Sequence, residues 1–215
     1  MNARQAQRLA PPWAPLVAVA AALLTGTIAG LVWHSHRLPS LDAWASRELE
    51  ARNDWVFWTA RGISVALTAL AIGAALSVAV SAWAVLRWRN AALLSLLAPA
   101  LALTAEKLLK QLVARRAPGS TQFHFPSGHL AVMTAAAFSF VLVVRSTRPE
   151  RGTRPVAIFA SLCVAALALA RQVDKAHLLS DVVGGVSTGV AATLAVAILL
   201  DHRLPNPMPY EETNR

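Results

Sequence analysis

Charge, and lysine above all, is what this sequence has least of. Three of its 20 basic residues are lysines (Lys107, Lys110 and Lys175), and charged residues make up 14% of the chain, against roughly 25% in an ordinary soluble domain. With 56% hydrophobic residues and a mean hydropathy of +0.49, so little charge excludes a conventional water-soluble domain and reads as an integral membrane protein. There is one cysteine, Cys163, inside an apolar run. It excludes an intrachain disulfide and says nothing about redox compartment. The formal charge of +9 invites a nucleic-acid partner, but the chain has no basic stripe on a soluble element. Its arginines lie between or beside apolar segments, where they set topology. No nucleic-acid partner is expected.

What is present is a series of long apolar runs. Pro15 to Trp33 carries no charge over about 19 residues, enough to cross a hydrocarbon core of about 30 Å at about 1.5 Å per residue. That exceeds the roughly 7 to 15 residues of a cleaved signal peptide's apolar region, so an uncleaved first span is expected. Further spans are predicted over Gly62–Leu86, Ala91 to about Leu112, about Gly128 to Val144, Val156–Ala170 and Val182–Leu200. Pro99, near the middle of the third, removes a helical hydrogen bond. Between the first two spans, Leu41, Trp44, Trp55 and Trp58 form a loose stripe at helical spacing, interrupted by Glu48. This stretch reads as an interfacial helix with tryptophans at headgroup depth, or as a connecting loop with belt aromatics. The expected fold is all-α, a polytopic membrane helical bundle of about six transmembrane helices. One membrane-embedded domain is expected over 1–215, its core about 62–200, with cytoplasmic tails over 1–14 and 201–215.

Loop charge orients the bundle. Arg87 and Arg89, and the arginines of the 145–154 loop, mark the cytoplasmic side together with Arg4, Arg8 and Arg203. The opposite loops hold as many basic residues, concentrated in three stretches: the end of the third span, the start of the fourth, and the turn between the fifth and sixth. Six spans place those stretches on one face, expected to be non-cytoplasmic.

The residues on that face suggest a chemistry. In the 170–185 stretch His177 and Asp181 are four apart. In a helix running from about His177 they would share a face, the carboxylate holding one ring nitrogen while the other is free to attack or bind. His129 follows Pro126-Ser127-Gly128 at the start of another apolar run. Proline suits a helix start, glycine allows close approach, and the serine hydroxyl can either donate to an oxyanion or cap the helix. The unpaired N–H groups at that helix start form an anion site. Lys107 and Lys175 are explained by snorkelling. His124, His129, His177 and Asp181 could in principle hold zinc. However, Lys110, Arg115, Arg116, Arg171 and Lys175 would repel a divalent cation and attract a phosphate. Neither metal nor cofactor is expected.

Pro126-Ser127-Gly128-His129, followed by Arg171, five residues, His177, three residues and Asp181, resembles the type 2 phosphatidic acid phosphatase superfamily of membrane lipid phosphatases. The sequence departs from the family signature at Ala170, where the family has serine. It departs again at Ala117, where the family has arginine once Lys110 and Pro118 are aligned on the first motif. Arg115 or Arg116 would then supply the shifted guanidinium. The resemblance implies a metal-independent, two-step hydrolysis: His177 forms a phosphohistidine, Asp181 fixes its tautomer, and His129 serves as acid and then base. Lys110, Arg115 or Arg116, Ser127, the Gly128 N–H and Arg171 would hold the phosphate oxygens. Family substrates compatible with a site at the membrane boundary are polyprenyl diphosphates, phosphatidic acid and phosphatidylglycerophosphate; a polyprenyl-linked sugar phosphate also fits. The alternatives are a non-catalytic phosphate-lipid binding or transport protein of the same fold, which Ala117 and Ala170 favour, and a vanadate-dependent haloperoxidase, which the six spans disfavour.

Overall fold

The computed structural model describes residues 8–33, 40–50, 53–84, 88–116, 123–147 and 153–203. The expectations for Arg4, Arg87, Ala117, Pro118 and most of the C-terminal tail lie outside them. The elements are α1 (Ala14–Val32), α2 (Ser40–Leu49), α3 (Asp54–Ala84), α4 (Arg89–Val113), α5 (Gly128–Thr147), α6 (Thr153–Val173) and α7 (Leu179–Arg203). Six of these are long and apolar enough to cross a membrane. The short one, α2, stands between the first and second spans.

Two boundaries that differ from the sequence expectation bear on the site. The second span begins at Asp54, not near Gly62, and runs for 31 residues, well beyond the roughly 20 a bilayer requires. Asp54 lies in its first turn, where a carboxylate is favoured, and Trp55 and Trp58 ride on its projecting end. The aromatic stripe is therefore split: Leu41 and Trp44 belong to α2, Trp55 and Trp58 to α3, and all four are exposed. The last span begins at Leu179, leaving His177 just outside it.

Burial is uneven around the bundle. In α7, 61% of the membrane-length window is buried and in α5 50%, against 17% in α3 and in α6. In lipid the helices gain little from hiding apolar surface from one another, so close packing of small residues decides which helix is central. Gly185 and Gly189, one turn apart on α7, let the backbone of α5 approach. A Cβ on Gly185 would lie 2.5 Å from the Ser127 carbonyl oxygen, and one on Gly189 2.6 Å from that of Ala131. Leu16 and Leu31 on α1, Val65 and Val80 on α3, and Ile158 and Phe159 on α6 are exposed, as lipid-facing residues would be. Two buried hydroxyls of α7 are satisfied within their own helix: Thr188 and Thr193 donate to the carbonyls of Gly184 and Gly189. Thr25 of α1 meets Ser187 of α7 at 2.7 Å.

At one end of the bundle the Leu9 and Ala10 N–H groups donate to the Asp201 carboxylate at 3.2 and 2.8 Å. The start of α1 and the end of α7 thus lie on the same side, as an even number of spans requires. At the other end α4 stops at Ala114, whose φ of 50° is left-handed. The chain then pairs Arg116 with Phe123 in an antiparallel bridge and leads into the start of α5. On the same side α6 ends in a turn with Lys175 at φ 57°, and α7 begins. The three suspected stretches and α2 therefore meet at one end.

Candidate active site

The join between α6 and α7 positions His177. Its backbone N–H donates to the Arg171 carbonyl at 3.1 Å, and its Nδ1 faces Asp181 Oδ2 at 3.7 Å. Asp181 itself is held firmly. Its Oδ2 accepts the Leu178 N–H at 3.0 Å and its Oδ1 accepts Arg115 Nη1 at 2.9 Å. The carboxylate turns back over the first turn of α7, so the two side chains face each other although His177 is not helical. Burial pushes the His177 imidazole below the ordinary histidine value, while Asp181 pulls the other way and Arg171 and Lys110 add to the lowering. The lowering favours the neutral ring, the form in which one nitrogen carries a lone pair.

The stretch from Phe125 to His129 is tied directly to this pair, since the Ser127 N–H donates to the Asp181 carbonyl at 2.9 Å. Ser127 Oγ is buried with no hydrogen-bond partner among the described residues. The serine therefore starts α5 without capping it through its side chain, and its hydroxyl remains available to a ligand. Gly128 abuts the Glu106 carboxylate so closely that a Cβ there would lie 2.8 Å from Oε1. Glu106, buried on α4, pairs with Lys110 Nζ one turn on, which orients the lysine. His129, in the first turn of α5, lies within electrostatic reach of Arg171, His177, Asp174 and Lys110.

Arg171 is fixed by Asp174, which accepts Nη1 at 2.8 Å through Oδ2 and the Ala176 N–H at 3.1 Å through Oδ1. Arg171 Nε remains unpartnered among the described residues. Arg115 and Arg116 part company at the left-handed turn. Arg116 is exposed, its guanidinium 5.3 Å from the Phe123 ring centre. Arg115 is 1% exposed and divided between two carboxylates, Asp181 at 2.9 Å and Asp42 at 2.6 Å.

One arrangement here could hold a metal ion. His124, His177 and Asp181 each offer a ligand atom, all within 4.8 Å of one another, and the two rings lie edge to face with centres 5.8 Å apart. The cations around it are themselves paired: Arg115 with Asp181 and Asp42, Arg171 with Asp174, and Lys110 with Glu106.

Four residues that hold this site together, Glu106 among them, received no role from the sequence. Asp174 was legible in principle, three residues after Arg171 on the same helical face. Asp42 and Ser180 were not, because a remote pairing leaves no local pattern.

The sequence model of the PAP2 superfamily matches residues 64–204. Among solved structures, the chain is similar to the first transmembrane PAP2-type phosphatidylglycerolphosphate phosphatase from Bacillus subtilis, with a TM-score of 0.65 and 20% identity, over 88% of this chain and 98% of that one. At that identity the likeness concerns the fold. No curated protein matches the chain in sequence. With Pro126-Ser127-Gly128-His129 and the Arg171, His177, Asp181 series meeting at one end of six apolar helices, and the family match spanning most of them, the chain belongs to the PAP2 superfamily.

Proposed function

We propose that the protein is a membrane lipid phosphatase that hydrolyses a phosphomonoester or diphosphate through a phosphohistidine on His177. One observation carries this: a buried imidazole faces a fixed carboxylate within electrostatic reach of Arg171 and Lys110, and the stretch that carries the unpartnered Ser127 hydroxyl is bonded to the Asp181 carbonyl. With Nδ1 turned to Asp181, the ring proton belongs there and Nε2 keeps its lone pair. Nε2 attacks phosphorus, the bond to the lipid oxygen breaks, and His129 gives that oxygen a proton. The Nδ1–H···Asp181 contact tightens as the ring becomes cationic. His129, now a base, takes a proton from water, whose oxygen attacks phosphorus and releases phosphate and His177.

Lys110, Arg171, the Ser127 hydroxyl and the Gly128 N–H hold the non-bridging oxygens as their charge redistributes. Arg115 acts from behind Asp181, and Arg116 remains at the exposed rim. The substrate is a lipid whose phosphate reaches the headgroup level while its tail stays in hydrocarbon: polyprenyl diphosphate, phosphatidic acid, phosphatidylglycerophosphate or a polyprenyl-linked sugar phosphate. The catalytic unit is one membrane-embedded domain with its core over about 62–200 and its site on the non-cytoplasmic face of the cell membrane. The terminal tails lie on the cytoplasmic side.

The test is phosphate release by purified protein in detergent from a panel of these lipids, with and without EDTA. Release that EDTA leaves unchanged is expected, because no step needs a metal. Loss on chelation, restored by a divalent ion, would make the cluster at His124, His177 and Asp181 a metal site. Binding of the lipids with no release would instead identify a binding or transport protein. Ser127→Ala is expected to lower kcat by about 10²- to 10³-fold, the usual cost of one oxyanion donor, and to leave measurable activity. Wild-type kcat in that variant would show that the hydroxyl faces no developing charge.

A further inference from the structure

The charges most deeply buried at this end of the bundle lie beneath the dyad. Asp42 is 1% exposed, Arg115 1% and Asp181 0%, and they come from α2, the segment after α4, and α7. Arg115 Nη2 donates to Asp42 Oδ2 at 2.6 Å, and Nη1 donates to Asp181 Oδ1 at 2.9 Å and to Ser180 Oγ. The Ser180 hydroxyl in turn donates to Asp42 Oδ2 at 2.7 Å, and its backbone N–H donates to Asp42 Oδ1 at 2.8 Å. Asp42 thereby satisfies an N–H of the first turn of α7 from a separate helix, where a carboxylate also meets the positive end of the helix dipole.

We infer that Asp42 is a positioning residue for the His177–Asp181 pair, acting through Arg115 and Ser180; this rests on the phosphohistidine chemistry proposed above. Two features of the network require a second carboxylate. The first is geometric. Asp181 needs Oδ2 turned to His177, and Arg115 can hold Oδ1 in that orientation only if its own fork is fixed from the far side. The second is electrostatic. A buried guanidinium paired with Asp181 alone would offset the charge that must stabilise a cationic His177; shared with Asp42, it leaves the trio with one net negative charge. Both terminal nitrogens of Arg115 are engaged by these partners, so the arginine stands behind the nucleophile and not over the phosphate. Lys110 and Arg171 are then the cations that meet the substrate.

The experiment compares wild type with Asp42→Asn in detergent, by steady-state kinetics and by 15N spectra of histidine-labelled protein, with His177 assigned through His177→Ala. The expected result is a fall in kcat of about 10- to 100-fold, the usual scale for a residue that orients a reactive imidazole, with KM within about twofold of wild type. The His177 resonances are expected to move from one dominant Nδ1–H tautomer to a mixture. An unchanged kcat would overturn the inference. So would a rise in KM alone, which would instead make Arg115 a phosphate ligand. Where Asp42→Asn fails to fold, Ser180→Ala removes the bridging hydroxyl and keeps all three charges. It is expected to lower kcat in the same direction by a smaller factor, and wild-type kinetics there would likewise contradict the role. If wild type releases phosphate from no lipid, the proposed function fails. The spectra then decide the positioning role on their own: a tautomer change in Asp42→Asn supports it, and an unchanged His177 overturns it.

Discussion

His177→Ala is expected to abolish phosphate release, by about 10⁴-fold or more, since removing a nucleophile removes the whole covalent route and leaves only binding and electrostatic stabilisation. The structure makes this variant unusually clean. His177 lies outside both neighbouring helices. The hydrogen bond that fixes its place runs from its backbone N–H to the Arg171 carbonyl, which alanine retains, and Asp181 keeps Arg115 and the Leu178 N–H. The bundle should therefore fold, bind lipid phosphate with little change in affinity and fail to turn it over. Phosphate release and equilibrium binding of the same lipid, measured on the same preparation, check both halves. Activity within tenfold of wild type would move the nucleophile elsewhere.

The second large effect is on packing. Gly185→Ala is expected to destabilise the bundle by about 1 to 3 kcal/mol or more, the range for forcing extra methyl groups into a filled core, and to lower activity with it. The methyl would meet the Ser127 carbonyl oxygen at 2.5 Å, and backbone cannot swing aside as a side chain can. Separating α5 from α7 would stretch the Ser127 N–H to Asp181 carbonyl bond, so the residues carried by α5 and those carried by α7 would drift apart. Gly73 on α3 serves as the control. A Cβ there meets nothing within 4 Å, and alanine should stabilise its helix by about 0.5 to 1 kcal/mol. Thermal unfolding in detergent is expected to show the two substitutions moving in opposite directions.

These expectations depend on features that differ in how far the sequence displays them. The spans were legible because an apolar run about 20 residues long has few other uses. The start of α3 was not, since Asp54 and Arg61 look like loop charge until the helix is seen to project past its apolar run. α2 stood open between helix and loop because Glu48 breaks the aromatic stripe. The structure forms the helix and assigns half of that stripe to α3. His177 and Asp181 were legible as a pair, though not for the helical reason: α7 starts at Leu179, and the contact arises because Asp181 folds back onto the Leu178 N–H. The choice between Arg115 and Arg116 was beyond sequence, as the left-handed turn at Ala114 decides which of two adjacent arginines turns inward. Asp42 was hidden most completely. Its partners are 73 and 138 positions away, and no periodicity marks a carboxylate that pairs across such distances.

The most direct measurement traps the covalent intermediate. Protein is mixed with a lipid phosphate carrying labelled phosphorus, quenched in alkali within a turnover, and cleaved into peptides. A phosphohistidine, stable in alkali and lost in acid, is expected on the peptide containing His177, absent from His177→Ala and released as phosphate when the wild-type reaction runs on. Steady phosphate release with no labelled protein at any time, or label on another residue, would contradict His177 as the nucleophile.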